Sequence, residues 1–185
     1  MKSIIFFLEE PSAKALLEGL LPNLNVDLDL CRFIVFEGKS DLESQIVRKI
    51  QGYRVPNARF VVLRDKDRAD CRDVKAQLID KCAKAGKAAA SLVRIACHEL
   101  ESWYLGDLTA VETGLGARNL AKKQNQNLYR NPDNIASPAH HLQRLVPGYQ
   151  KIAGSRAIGP CLNPNANRSH SFNVFVSGIQ KLINS

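Results

Sequence analysis

Acidic side chains close three apolar runs in this sequence, and their types and spacing suit metal-assisted chemistry on phosphate. Phe60-Val61-Val62-Leu63 is followed at once by Arg64, Asp65, Lys66 and Asp67. A short, continuous apolar run of this kind reads as a strand buried on both faces, as in a parallel sheet. Asp65 and Asp67 then fall beyond its carboxyl end, where open α/β sheets bind ligands. If the chain stays extended as far as Asp67, both carboxylates point the same way. Such a pair is costly unless something positive lies between, and a hard divalent ion such as Mg2+ fits, held by one or two carboxylates, water and phosphate. Glu9 and Glu10 follow a second apolar run, Ser3–Leu8, and Glu99 and Glu101 follow a third, Ser91–Ala96. In a parallel sheet the three ends share one edge. Carboxylates converging there with one or two divalent ions could polarise a phosphodiester, generate hydroxide and stabilise the leaving oxygen. Glu9 would serve as a ligand or a general acid/base. Any one of these acids, taken alone, reads as a helix cap or a solvated loop charge.

The elements that must position them follow from periodicity. Helical spacing of Ala13, Leu16, Leu17 and Leu20 predicts a helix stopped by Pro22. Cys31–Phe36 is a strand, and Ser40 with Glu43 forms a capping box for a helix burying Leu42, Ile46, Ile50 and Tyr53. Asp70–Ala85 is a third helix with Val74, Leu78 and Cys82 inward and Gly86 just past its end. A second capping box, Thr109 with Glu112, opens a short helix ending near Gly114 or Gly116. Strand and helix alternate four times in this part, which predicts an α/β fold: a mostly parallel sheet of about four strands with helices on both faces. From Ala121 to Pro138 the chain is polar and Asn-rich and reads as a long loop or mobile arm. Ser137-Pro138 starts a helix through Val146, the stretch from Gly154 to Ser171 reads as loop, and Phe172, Phe175, Val176, Ile179 and Ile183 mark a last helix packing back on the sheet.

At 185 residues and 45% hydrophobic content the chain can build one sizeable core. We divide it into residues 1–115 and a basic extension, residues 116–185, on the same core. No apolar run is long enough to span a membrane, and no basic-then-apolar leader is present. The five scattered cysteines form no C-x-x-C pair, which suits a reducing cytoplasm better than a disulfide framework or a structural zinc. The net charge is +8. Residues 1–115 hold 17 basic and 17 acidic side chains, whereas the rest hold nine basic residues and one acid, Asp133. The whole excess is C-terminal, as expected of a surface that faces a polyanion such as nucleic acid. Lys122, Lys123, Arg130, Lys151, Arg156 and Arg168 are the phosphate-contact candidates there, joined by Lys39 at the turn after the second strand. His98 reads as a packed or solvated histidine, His140 and His141 as surface histidines, Trp103 and Tyr104 as core or partner contacts, and Ser169, Ser171 and Asn173 as helix-start residues.

A strand ending in Glu, a later strand ending in Asp-x-Asp and β–α alternation between them resemble the Toprim domain, the metal-dependent catalytic domain of topoisomerases, DnaG-type primases and OLD-family nucleases. The longer run of FLEEPSAKALL, FEGKSDL, VVLRDKDRADC, RIACHELESWYLGD, YRNPD, PGYQK, RAIGP and RSHSFNVFVSGI resembles small Toprim-like proteins of the RloG type across nearly the whole chain, with the Toprim portion ending near residue 112. The resemblance implies a Toprim-like fold with Glu9, Asp65 and Asp67 as the catalytic set. Glu10 stands where the family often has Gly. Glu99 and Glu101 match acids of the OLD-like branch that could hold a second metal. It further implies one or two Mg2+ or Mn2+ ions, cleavage of nucleic acid, with DNA the first expectation, and a co-encoded AAA- or ABC-type ATPase partner in phage or plasmid defence. A homo-oligomer is compatible with it.

Two rivals remain. A non-catalytic Toprim-shaped adaptor would dock on the ATPase and sense DNA. A phosphoacceptor receiver domain shares the acidic pair after strand one and an Asp after strand three, but no fifth strand ending in Lys is evident. The chain has no G-x-x-x-x-G-K-[ST], so any ATP hydrolysis must come from a partner.

Overall fold

Every residue of β1, Ile4–Leu8, is apolar and buried, because this strand has neighbours on both edges and helices on both faces. The computed structural model describes residues 3–67 and 69–184. β1 pairs in parallel with β2, Cys31–Val35, and with β3, Arg59–Asp65; β3 pairs in parallel with β4, Ser91–Ala96. The order is β2-β1-β3-β4. This is the Toprim-like α/β arrangement that the sequence led us to expect.

Alternation along the strands divides the core in two. Ile5 and Phe7 of β1 and Phe60 and Val62 of β3 pack under α2, Lys39–Gln51, and α3, Cys71–Lys84. Ile4, Phe6, Leu8, Val61 and Leu63 face the other way. There they meet α1, Pro11–Leu20; α4, Glu101–Leu105; α5, Leu108–Leu115; α6, Pro138–Leu145; α7, Lys151–Ile158; and α8, His170–Asn184. Leu142, Ile158 and Phe172, all beyond residue 116, belong to that same core. Trp103 and Tyr104 are buried in it, with Trp103 Nε1 donating to Ser171 Oγ at 2.9 Å and Tyr104 Oη to Ser155 Oγ at 2.7 Å.

Several local expectations change. Neither capping box forms. Gly38, at φ +101°, precedes α2 without a side-chain cap, and Glu43 turns instead to Arg64. Asp107, not Thr109, caps α5 through the Ala110 N–H, which leaves Glu112 to accept from Leu120 and Ala121. The stretch from Gly154 to Ser171 is not all loop, because α7 and a 3-10 turn at Gly159–Cys161 occupy its first half. Small residues make this packing close. A Cβ on Gly159 would lie 2.6 Å from the Leu16 carbonyl oxygen of α1. The polar stretch after Gly116 is built of three 3-10 turns, with Tyr129 and Pro132 buried. Asp133 fixes it to the start of α8 by accepting from Ser169 Oγ and the Ser171 N–H. The Ser169 hydroxyl in turn accepts from the Phe172 N–H, which is the capping role expected of it.

Among the described residues no helix is long and apolar enough to cross a membrane.

Candidate active site at the carboxyl edge of the sheet

Strand register brings the acids to one edge and then separates them by face. Leu8 is level with Leu63, and Asp65 with Ala96. Glu10, two residues beyond β1, keeps extended backbone angles (φ −144°, ψ 160°). Period-two alternation therefore sends Glu9 and Arg64 toward the α2 face and Glu10 and Asp65 toward the α4 and α7 face. The contacts agree. Arg64, only 6% exposed, has its Nε 3.7 Å from Glu9 Oε2 and its Nη1 on Glu43 of α2. Glu10 Oε2 lies 3.6 Å from Lys151 Nζ at the start of α7, and Glu10 Oε1 accepts from the Ser12 hydroxyl.

Asp65 and Asp67 do not act as a parallel pair. β3 ends at Asp65, and Asp67 has φ +55°, so the extended run needed to aim both carboxylates together is interrupted. Asp67 Oδ2 sits 3.0 Å from Lys39 Nζ, while its N–H donates to the His98 carbonyl oxygen at 2.8 Å. His98, itself at φ +60°, has Nδ1 3.2 Å from the Asp67 carbonyl oxygen. These paired contacts lock the β3 and β4 exits together.

The α4 and α7 side carries the charge conflict. Glu101 is 2% exposed; its Oε1 accepts from Tyr149 Oη at 3.1 Å and lies 4.0 Å from Lys151 Nζ, while its Oε2 has no hydrogen-bond partner among the described residues. Burial first, then the charges of Glu10, Glu101 and Glu9, push the Asp65 carboxyl well above the usual range. Burial also raises Glu101 and Glu9. Lys151 feels the reverse field. Burial works against its charge, but Glu101, Glu10, Asp65 and Glu99 outweigh that and raise its pKa.

Glu99 serves a different local task, because its Oε2 accepts from the Ala139 N–H at 2.9 Å in the first turn of α6. A cleft of about 430 Å³ opens beside this contact, lined by Lys39, Arg64, Lys66, Asp67, His98 and Glu99 among others. Lys66 was not singled out from sequence; its place between Asp65 and Asp67 was its signal.

The Domain of unknown function (DUF4276) family model matches residues 8–180. The chain belongs to this family. Its fold is similar to that of the C-terminal region of the Burkholderia pseudomallei OLD protein, with a TM-score of 0.56 and 16% identity over 97% of this chain and 98% of that one. It is likewise similar to the C-terminal region of the Xanthomonas campestris pv. campestris OLD protein, with a TM-score of 0.53 and 17% identity over 100% of this chain and 97% of that one. No curated protein matches the chain.

For this DUF4276 chain the donor chemistry at the edge fits a hard cation. The charges of Glu10, Glu101 and Glu9 all act on Asp65, and among the described residues one buried Glu101 oxygen lacks a hydrogen-bond partner. Among the described residues, no three His, Cys, Asp or Glu side chains form a closed ligand set as they stand. The cations now beside these acids are Lys151, Arg64 and Lys39.

The basic candidates are dispersed. Lys39 lines the cleft and Lys151 lies among the acids. Lys122, Arg130 and Arg156 are exposed and Lys123 is half-buried. Arg168 donates to the Gln124 carbonyl oxygen and, at 2.7 Å, to Asn125 Oδ1, so its guanidinium ties two loops together. His141, expected at the surface, is half-buried and 2.8 Å from Tyr129 Oη.

Proposed function

We propose that this DUF4276 protein is a divalent-metal-dependent nuclease of the Toprim type that cleaves nucleic-acid phosphodiesters. The observation that carries this reading is one sheet edge bearing Glu10, Asp65 and Glu101 toward α4 and α7, with a cleft beside it lined by Lys39, Arg64 and Lys66 together with Asp67 and Glu99. The fold likeness to OLD protein C-terminal regions supports it. Asp65, Glu101 and Glu10 would hold a Mg2+ or Mn2+ ion, with Glu9, Asp67 and Glu99 adjoining. When bound, the ion would supply Lewis acidity and a water of lowered pKa. Lys39 and Lys66 would bind the phosphate backbone in the cleft without reading base sequence. Arg64 holds Glu9 in place from within the core. The resemblance to RloG-type proteins extends the proposal to an effector role beside an ATPase in phage or plasmid defence, with DNA as target.

A second reading draws on the same site. Each strand-end acid group already has a protein cation or backbone N–H beside it, as would suit a non-catalytic adaptor that binds DNA and an ATPase.

Cleavage of supercoiled plasmid and single-stranded DNA with Mg2+ or Mn2+, alone and with any co-encoded ATPase, separates the two. The nuclease reading expects cutting by wild type that disappears in Asp65→Asn. DNA binding without cutting under every condition selects the adaptor.

A further inference from the structure

We propose that Lys151 is a tethered cation that occupies the acid cluster before metal arrives, so that a divalent ion must displace its ammonium group. This rests on the metal-binding part of the reading above. Lys151 Nζ lies between Glu10 Oε2, at 3.6 Å, and Glu101 Oε1, at 4.0 Å. Both distances exceed ordinary hydrogen-bond lengths, so the lysine satisfies the local field more than it satisfies any one oxygen. Glu101 shows the same shortfall, since among the described residues its buried Oε2 has no hydrogen-bond partner. An ammonium group is a compact point charge on a flexible stem. Lys151 is 41% exposed, so its stem has room to swing outward. Its backbone is anchored, because α7 packs against α1 and the 3-10 turn that follows it seats Gly159 on the Leu16 carbonyl oxygen. The arrangement is therefore a fixed hinge with a movable charge, placed where carboxylates from β1, β3 and α4 meet.

Competition has a direction that a purely structural ion pair lacks. Removing the ammonium leaves the carboxylates unneutralised, which destabilises the metal-free protein. The same change makes the site more attractive to a dication. A lysine that served only to hold α7 in place would weaken metal binding when lost, or leave it unchanged.

The test is calorimetric titration of the full chain with MnCl2, without nucleic acid, for wild type, Lys151→Met and Lys151→Arg. Thermal unfolding with and without Mn2+ accompanies it. Lys151→Gln removes the same charge with a polar side chain should the methionine variant not fold. The expected result is Mn2+ affinity raised by about tenfold or more in the neutral variants, with Lys151→Arg close to wild type. The neutral variants should melt lower than wild type without metal and gain more from Mn2+. Equal or weaker Mn2+ binding by the neutral variants overturns the proposal while leaving a metal-binding site in place. Absence of Mn2+ uptake in every variant overturns both this proposal and the nuclease reading.

Discussion

The Glu9 carboxylate accepts the Asp65 backbone N–H at 3.2 Å, and the same Oε2 lies 3.7 Å from Arg64 Nε. The ends of β1 and β3 are thus joined by a side chain where their backbone ladder stops. Glu9 is 16% exposed and Arg64 only 6%. Replacing Arg64 with Ala leaves Glu9 and Glu43 facing one another without their cation. Breaking a buried pair from one side costs about 3 kcal/mol. Denaturant unfolding should show that loss for Arg64→Ala and a large recovery when Glu9→Gln and Glu43→Gln are added. Additive losses in the triple variant would mean that Arg64 acts by packing alone.

Stability without metal should fall as pH rises. The carboxyls of Asp65, Glu9 and Glu101 are all raised from ordinary values of 3.8 and 4.5, chiefly by burial. Between those ordinary values and the raised ones, the folded state keeps protons that the unfolded state has released. The contribution to stability is therefore complete at acid pH and is lost through that window. Thermal unfolding in EDTA should give a Tm that declines from about pH 4 upward. Asp65→Asn should flatten the decline and melt on the order of 3 °C higher at pH 8. An unchanged pH slope in this variant would show that Asp65 is not the group responsible.

How far the sequence revealed this site depends on which residues are considered. Apolar runs and helical spacing located all four strands, α1, α2, α3 and α8, because burial on both faces or on one stripe leaves a periodic record. The gathering of acids at one edge followed from parallel topology alone. Their partition was harder to read. Glu9 and Glu10, as neighbours just past a strand, go to opposite faces, toward Arg64 and Lys151, whereas Asp65 and Asp67 part because Asp67 adopts a left-handed backbone. Asp67 carries no glycine-like signal for that turn. The helix α7 was obscured because its buried face is Gly154, Ser155 and Ile158, with a single large apolar residue to leave a periodic record. Capping boxes misled for a related reason. Glu43 and Glu112 found partners distant in sequence, Arg64 and the Leu120 N–H, that local spacing could not anticipate.

Nucleic-acid affinity should separate the basic residues by what they already hold. Lys39 and Lys66 line the cleft, and the one ion pair of Lys39 among the described residues, to Asp67, is solvent-exposed and readily exchanged for phosphate. Substituting either with Ala should weaken binding across all sequences and reduce the slope of log affinity against log salt by about one. Arg168→Ala should leave that slope unchanged and lower stability by about 1–2 kcal/mol, because its guanidinium bonds the Gln124 carbonyl oxygen and Asn125. Fluorescence anisotropy at several salt concentrations, with denaturant curves for each variant, measures both quantities.

Tyr149 should be coupled to Glu101 in stability. Its hydroxyl donates to Glu101 Oε1 at 3.1 Å, and its ring lies against Gly154, where any Cβ would collide with it. Tyr149→Phe removes that donor from a carboxylate that is already short of partners, at a cost of about 1–3 kcal/mol. In Glu101→Gln, where no charge needs the donor, the same substitution should cost less. A double-mutant cycle with zero coupling would mean that the hydroxyl does not support Glu101.

Glu99 tests the difference between sequence spacing and observed contact. Its place beside Glu101 suggests a second metal ligand, yet its carboxylate accepts the Ala139 N–H at the start of α6. Ser137, in the N-cap position of that helix, makes no side-chain bond there. Glu99 thus performs the capping that Ser137 does not. Loss of such a cap costs about 1 kcal/mol, so Glu99→Ala should be less stable by that amount. Glu99→Gln keeps an acceptor oxygen and should stay near wild type. If capping is its whole task, Mn2+ affinity in Glu99→Ala will match wild type, while Asp65→Asn and Glu101→Gln lose about tenfold or more. An equal loss in all three would mean that the bound ion draws Glu99 away from α6, and the N-terminus of that helix should then loosen, with faster hydrogen exchange at Ala139, when Mn2+ is added.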